Sequence, residues 1–293
     1  MSQQDFQPTA EVGELTVDTD ITLRRMVVSH PEPKGTVLLL HGFPETLYAF
    51  KDLALELGAS YEVHAFDWPG YGLSSRPPVA RFPYAPGDYA RILRAYVDRA
   101  GINRSTLTIY ATDISGLPAL IAALDEPTIA RSIVVGDFAP FNRPEHMYAS
   151  LQALKAEPSA SQVRAFMNAN RDEILANTYT RGLPEVARYE VSSEFRNDVA
   201  RSWDHGGMTS VDAFYHYYSH FSAAQAHFEV NLTTVSTPIR VIWGTEDLYI
   251  NKAMGVELAE RLGVELTLLS DVGHYAHLQA PGQVIEEIRA TFL

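Results

Sequence analysis

The 293-residue chain contains no cysteine. This excludes disulfides, thiolate nucleophiles, zinc ribbons and iron–sulfur clusters together, and leaves the redox compartment unreadable from sulfur. Positive charge is scarce: 23 Lys and Arg stand against 36 Asp and Glu, a formal net charge of −13. That sign opposes a phosphate backbone, and no basic stripe offsets it, so nucleic acid is not an expected partner. Long apolar runs are also missing, since stretches such as Val37–Leu40 are far too short to span a bilayer. The polar start, Met-Ser-Gln-Gln-Asp-Phe-Gln-Pro, has neither the cationic residues nor the apolar core of a secretory signal. The expectation is a cytoplasmic protein with no membrane partner. With 46% hydrophobic and 11% aromatic residues the chain is expected to pack as a globule. Its length suits one large domain or one domain carrying an insertion.

Apolar or β-branched runs predict strands near Val12–Val17, Ile21–Ser29, Val37–Leu40, Glu62–Phe66, Leu107–Tyr110 and Ser132–Val135. Between them, amphipathic stretches predict helices at Thr46–Leu57, Pro86–Ala100 and Ser115–Leu124. This alternation is the rhythm of a mostly parallel sheet covered by helices. From about Pro140 to Asn231 it stops, and only helix-compatible stretches follow, such as Met147–Ala156, Ala160–Asn177 and Thr209–Phe221. After Pro238 it resumes with Ile239–Trp243, Ala253–Leu262, Glu265–Leu269 and Pro281–Phe292. The expected organisation is a core of residues 1–139 and 232–293, split by a helical cap at 140–231 inserted after the sixth strand.

Chemistry concentrates where strands end. Leu107–Thr112 leads through Asp113 into Ile114, Ser115 and Gly116, a strand, a tight turn and a helix. Such a turn lifts one side chain above the sheet and tolerates only small residues two before it and two or three after it. With Asp113 at the centre these are Ala111, Ser115 and Gly116, whereas centring on Ser115 would crowd the turn with Asp113 and Leu117. Aspartate is also a favoured N-cap, so this segment alone reads equally as a capped helix start. His41-Gly42-Phe43-Pro44-Glu45 follows an earlier strand, and the backbone N–H groups of Phe43 and Ile114 are candidate oxyanion donors. His41 reads as a brace for that turn. Asp247, in Gly244-Thr-Glu-Asp, and His274, after Gly273, each stand just past a later strand, so nucleophile, acid and histidine come in that order. Glu246 and Asp271 are rival acids, and His277 lacks the third ligand that a metal site would need.

On these residues the chain resembles the α/β-hydrolase superfamily over nearly its whole length, in particular the epoxide hydrolase and haloalkane dehalogenase branch with an aspartate nucleophile. His-Gly-Phe-Pro-Glu at 41–45 is similar to the epoxide hydrolase oxyanion turn, and Asp67-Trp-Pro-Gly70-Tyr-Gly72-Leu-Ser74 to a family loop taken here as structural. The resemblance implies an eight-stranded, mostly parallel sheet and a covalent ester on Asp113. His274, oriented by Asp247, would activate the water that hydrolyses it. No cofactor and no metal is implied, and the partner is a small apolar or amphipathic substrate; a homodimer stays open. Both sister families usually carry Trp after the nucleophile, where this chain has Ile114. Dehalogenases commonly add an Asn in the oxyanion turn, where it has Phe43. Epoxide opening instead draws on cap tyrosines, and the segment Gly207–His216 places Tyr215 at the matching position, with His216 for the family's Arg. Tyr217 and Tyr218 are its neighbours, and Tyr148 and Tyr179 are unranked candidates for a second tyrosine. The expected reaction is hydrolysis of an epoxide to a vicinal diol; the alternatives are a haloalkane dehalogenase-like or other bond-cleaving α/β-hydrolase, or a diverged ligand-binding member with little turnover.

Overall fold

The computed structural model describes residues 6–293, so the first five residues of the N-terminal reading lie outside it. Among the described residues there are eight strands: β1 (Ala10–Asp18), β2 (Ile21–Val28), β3 (Thr36–Leu40), β4 (Glu62–Phe66), β5 (Leu107–Thr112), β6 (Ser132–Gly136), β7 (Ile239–Gly244) and β8 (Leu266–Leu269). They form one sheet in the order β1-β2-β4-β3-β5-β6-β7-β8. Pairings β1/β2 and β2/β4 are antiparallel, and the rest are parallel. The central strands β3, β5 and β6 are buried at every residue, as expected of parallel strands covered on both faces.

Side chains of one strand alternate between two cores. Leu38, Leu40, Ile109 and Ala111 enter one of them with residues of α2 (Pro86–Arg99) and α3 (Gly116–Asp125). Val37, Leu39 and Tyr110 enter the other with α1 (Lys51–Leu57) and the C-terminal residues Val284, Ile285 and Ile288. Between β6 and β7 run α4 (Ala149–Ala153), α5 (Ser159–Ala169), α6 (Arg171–Asn177), α7 (Ser193–Ser202), α8 (Ser210–Ser219) and α9 (Phe221–Asn231). The last part of the chain carries α10 (Ala253–Leu262), α11 (Ala276–Gln279) and α12 (Pro281–Ala290). No helix of the described residues is long and apolar enough to cross a membrane.

All eight expected strands are present. Two of the expected helices are divided. Thr46–Leu57 opens as a 3₁₀ turn over Leu47–Phe50, because the Thr46 hydroxyl accepts the Tyr48 N–H. The stretch 160–177 breaks at Asn170, which leaves helical geometry and donates from Nδ2 to the Phe166 carbonyl. Pro158 stands directly before α5 and separates it from α4. Helices α7, α9 and α11 are not among the expected ones.

The loop after β4 holds the assembly together. Asp67 Oδ1 accepts the Leu47 N–H, while Oδ2 accepts Arg24 Nε at 2.5 Å and the Leu73 N–H at 3.0 Å. The other end of Arg24 grips Asp198 of α7 with two bonds, of 2.8 and 2.6 Å. Arg24 and Asp198 are both buried, so removing Asp198 leaves one end of the guanidinium without its carboxylate and away from water, with Asp67 as the remaining partner. Asp198→Ala is expected to cost about 3 kcal/mol of stability, read as a lowered urea midpoint in equilibrium unfolding, with Asp198→Asn losing less because it keeps a hydrogen-bonding oxygen.

Candidate active site

Leu40 of β3 lies opposite Ala111 of β5 in parallel register, so the turns leaving the two strands stand side by side. At the second turn Asp113 adopts φ +51°, a left-handed conformation that ordinary side chains avoid. The space around it explains the small neighbours. A Cβ on Gly116 would lie 2.4 Å from the Phe138 ring, and one on Gly42 would lie 2.5 Å from Asp113 Oδ2. With that approach open, the Phe43 N–H donates to Asp113 Oδ2 at 2.6 Å. Ile114, the other oxyanion candidate, is buried, and its carbonyl accepts the Tyr217 phenol at 3.0 Å. Ser115 is engaged elsewhere: its hydroxyl donates to the His41 carbonyl and accepts Trp68 Nε1–H. Ser115 is fully buried and is not among the residues that line the cavity.

The acid and the histidine arrive from the next edge of the sheet. His274 Nδ1 donates to Asp247 Oδ2 at 2.8 Å, and Nε2 faces Asp113 Oδ1 at 3.8 Å. Asp247 Oδ1 accepts the N–H groups of Tyr249 and Ile250, which fixes the carboxylate against β7's end. Burial works against a charged His274, but the carboxylates of Asp247 and Asp113 outweigh it and raise the imidazole well above its ordinary range. The rival acids Glu246 and Asp271 are exposed. His277 binds Glu45 instead, through Nε2 and Oε1 at 2.7 Å, with both side chains fully buried.

Glu45 is a supporting residue that sequence reasoning quoted only as part of a motif. Its other oxygen accepts the Gly42 N–H at 2.8 Å. Burial alone would raise this carboxyl, but the His277 imidazole and the Gly42 N–H beside it hold it below the usual range. The bracing role expected of His41 is borne out, since Nδ1 donates to the Gly42 carbonyl at 2.7 Å and Nε2 accepts the Trp68 N–H. Burial lowers the His41 imidazole, in keeping with that neutral form. The Gly42–Phe43 peptide is thus held by its oxygen while its N–H points at Asp113.

A cavity of about 450 Å³ reaches down to this constellation, within the roughly 300–1,000 Å³ of small-molecule sites. Phe43, Asp113, Phe214, His274 and Tyr275 line its buried end. Its outer wall includes Leu151, Val163, Phe166 and Met167 of the helical segment, and Phe166 is exposed at the rim. The expected proton donor Tyr215 is not there. It donates to Glu157 at the surface and lies under the Arg164 guanidinium, so its assignment to the site is corrected. The reason is helical phase: α8 turns Val211, Phe214 and Tyr218 inward, and Phe214 stacks on Phe43 at 4.2 Å. Of the two unranked tyrosines, Tyr179 is committed to the Pro44 carbonyl at 2.8 Å, whereas Tyr148 lines the cavity.

The alpha/beta hydrolase family model matches residues 37–287. The chain is an alpha/beta hydrolase. This hydrolase is 25% identical to human epoxide hydrolase 4 over 275 residues, covering 89% of this chain and 72% of that one. It is 26% identical over 288 residues to a 2-hydroxy-6-oxononadienedioate/2-hydroxy-6-oxononatrienedioate hydrolase of Klebsiella pneumoniae, covering 92% and 93%. Among solved structures, the haloalkane dehalogenase DbeA of Bradyrhizobium elkani superposes with a TM-score of 0.75 at 16% identity, over 96% of this hydrolase and 99% of that chain.

Proposed function

We propose that this hydrolase opens a small, mainly apolar epoxide to a vicinal diol, with residues 140–231 acting as the cap over its active site. The observation that carries the reading is the Asp113 carboxylate. It stands at the base of an apolar cavity, with the Phe43 N–H on one oxygen and His274 Nε2 facing the other. A carboxylate is already ionised at neutral pH and attacks an sp³ carbon without first losing a proton. Oδ1 forms the new C–O bond, one ring C–O bond breaks, and the leaving oxygen stays tethered to the carbon skeleton as an alkoxide.

That alkoxide needs a proton. Tyr148 shares the cavity with Asp113, and its ring packs edge-on against Tyr249 at 5.7 Å. Its phenol is the donor in this reading. Esterification also removes the negative charge of Asp113, one of the two that hold His274 as imidazolium. His274 then releases its proton through solvent to the phenolate and becomes the base that activates water. Water attacks the ester carbonyl, the developing oxyanion meets the N–H groups of Phe43 and Ile114, and collapse frees the diol and the carboxylate. Halide departure is disfavoured because Ile114 and Phe43 supply an alkyl and a phenyl group where the related dehalogenases place N–H donors.

The test is a parallel screen of aryl and alkyl epoxides, bromoalkanes and simple esters, with Asp113→Ala as the blank. Diol formation is expected, and halide release faster than any epoxide turnover overturns the reading. Tyr148→Phe is expected to lower kcat on an active epoxide by about 10- to 1,000-fold. Tyr215→Phe, which loses only a surface bond to Glu157, is expected to stay within about twofold.

A further inference from the structure

Asp137 is a fully buried carboxyl group that takes no part in the chemistry above. It follows β6, whose Gly136 pairs with Thr112 on one side and Ile242 on the other. It therefore sits between the strands that deliver Asp113 and Asp247. Its backbone repeats the elbow conformation one strand over, with φ +51°. Oδ1 accepts the N–H of Gly244, the residue that opens the turn to Asp247, at 2.9 Å. Oδ2 is buried and has no partner.

The charges around Asp137 decide its state. From β7's turn comes Asp247, from the loop after β8 His274, from the turn after β5 Asp113, and from β5 itself the Tyr110 phenol. His274 is the one basic group of this set, and it is committed at Nδ1 to Asp247. Asp247 meets three donors, the Tyr249 and Ile250 N–H groups and His274, whereas Asp137 meets one. Of the two carboxyls buried beside the imidazole, Asp137 and Asp247, the one with more hydrogen-bond donors is the better placed to carry charge. Burial first, and then the negative charge of Asp247, push the Asp137 carboxyl well above the carboxylate range.

We propose that Asp137 is a positioning residue for the His274–Asp247 pair. It pins Gly244 and thereby the turn carrying Asp247, and by staying uncharged it leaves His274 free to become a base once Asp113 is esterified. A third negative charge beside the imidazolium would hold its proton in place and stall ester hydrolysis. The kinetic half of this inference rests on the proposed ester mechanism; the protonation half does not.

The protonation half is tested on the free enzyme by NMR with aspartate labelled with ¹³C at the carboxyl carbon. At pH 7 one resonance is expected at the protonated-acid position and is absent in Asp137→Asn. In the same variant the His274 imidazole is expected to titrate as in wild type, because a neutral group has been exchanged for a neutral one. Ionisation of every aspartate at pH 7, or a lowered His274 midpoint in Asp137→Asn, overturns the proposal. Neither measurement needs a substrate, so failure of the epoxide reading leaves them intact. With an active substrate, single-turnover hydrolysis of the ester is expected to stay within about threefold in Asp137→Asn, which can still accept the Gly244 N–H. Asp137→Ala is expected to lose about 10- to 100-fold in that step with ester formation unchanged. Equal loss in both variants, with unfolding midpoints matching wild type, overturns the positioning role.

Discussion

Asp113→Ala is expected to abolish diol formation, a loss of roughly 10⁴-fold or more, because nothing else at the cavity base supplies an ionised oxygen to the carbon. The stronger form of this prediction follows the oxygen atoms. In a single turnover in H₂¹⁸O with enzyme in excess, the water oxygen ends in the Asp113 carboxylate and not in the diol. The reason is that water attacks the ester carbonyl while the diol keeps the oxygen donated by Asp113. Mass spectrometry of the peptide containing Asp113 reads the label, and label found only in the diol sinks the covalent mechanism. Asp113→Ser is expected to rescue nothing, since a neutral hydroxyl is a poor nucleophile at sp³ carbon and the φ of +51° is strained for it as well.

His274→Gln is expected to separate the two half-reactions. Attack by Asp113 needs no base, so the ester still forms; its hydrolysis needs one, so the adduct accumulates with the mass of enzyme plus substrate. The trapped fraction should approach one per active site. Full turnover with no adduct would exclude His274 as the base. Because Asp113 and Asp247 both raise the resting His274 imidazole, the neutral base becomes easier to form once the ester has replaced one of those charges. The pH dependence of the wild-type hydrolysis step should therefore show an acid limb below the midpoint that free His274 gives by NMR. Rates on this limb rise with pH as the imidazole loses its proton.

The strands, and the places of Asp113, Asp247 and His274 just past their ends, are legible in the sequence because they depend on local pattern. A buried parallel strand reads as an uninterrupted apolar run, and β3, β5 and β6 are such runs. The residues after them are then placed by the sheet. Helix α7 escaped notice because Ser-Glu-Phe-Arg-Asn-Asp-Val-Ala-Arg-Ser carries a short apolar face, and its Asp198 is anchored by Arg24, 174 positions earlier. Tyr215 was misplaced for a different reason. Motif spacing counts residues along the chain, whereas a helix decides facing by a 100° step, and one residue moves a phenol from cavity to solvent. The period of Val211, Phe214, Tyr218 and Phe221 carried that information in the sequence. Asp137 was missed although it directly follows a strand, because a lone acid after Gly136 has no neighbour in sequence to reveal the crowding it meets in space.

Two phenols of the helical segment reach down to the catalytic turns: Tyr179 donates to the Pro44 carbonyl and Tyr217 to the Ile114 carbonyl. The Phe43–Phe214 stack adds a third tie. On the proposed reading, the helical segment that lines the cavity also braces the turns that carry the candidate oxyanion donors Phe43 and Ile114. Exchanging its outer helices α4 to α6 for those of a relative is expected to change which molecules enter, whereas a graft that omitted Tyr179 or Tyr217 would free the Pro44 or Ile114 carbonyl next to a candidate oxyanion donor. On the proposed mechanism, a graft that alters substrate range has to keep three hydroxyl groups of this segment: that of Tyr148 at the start of α4 and those of Tyr179 and Tyr217.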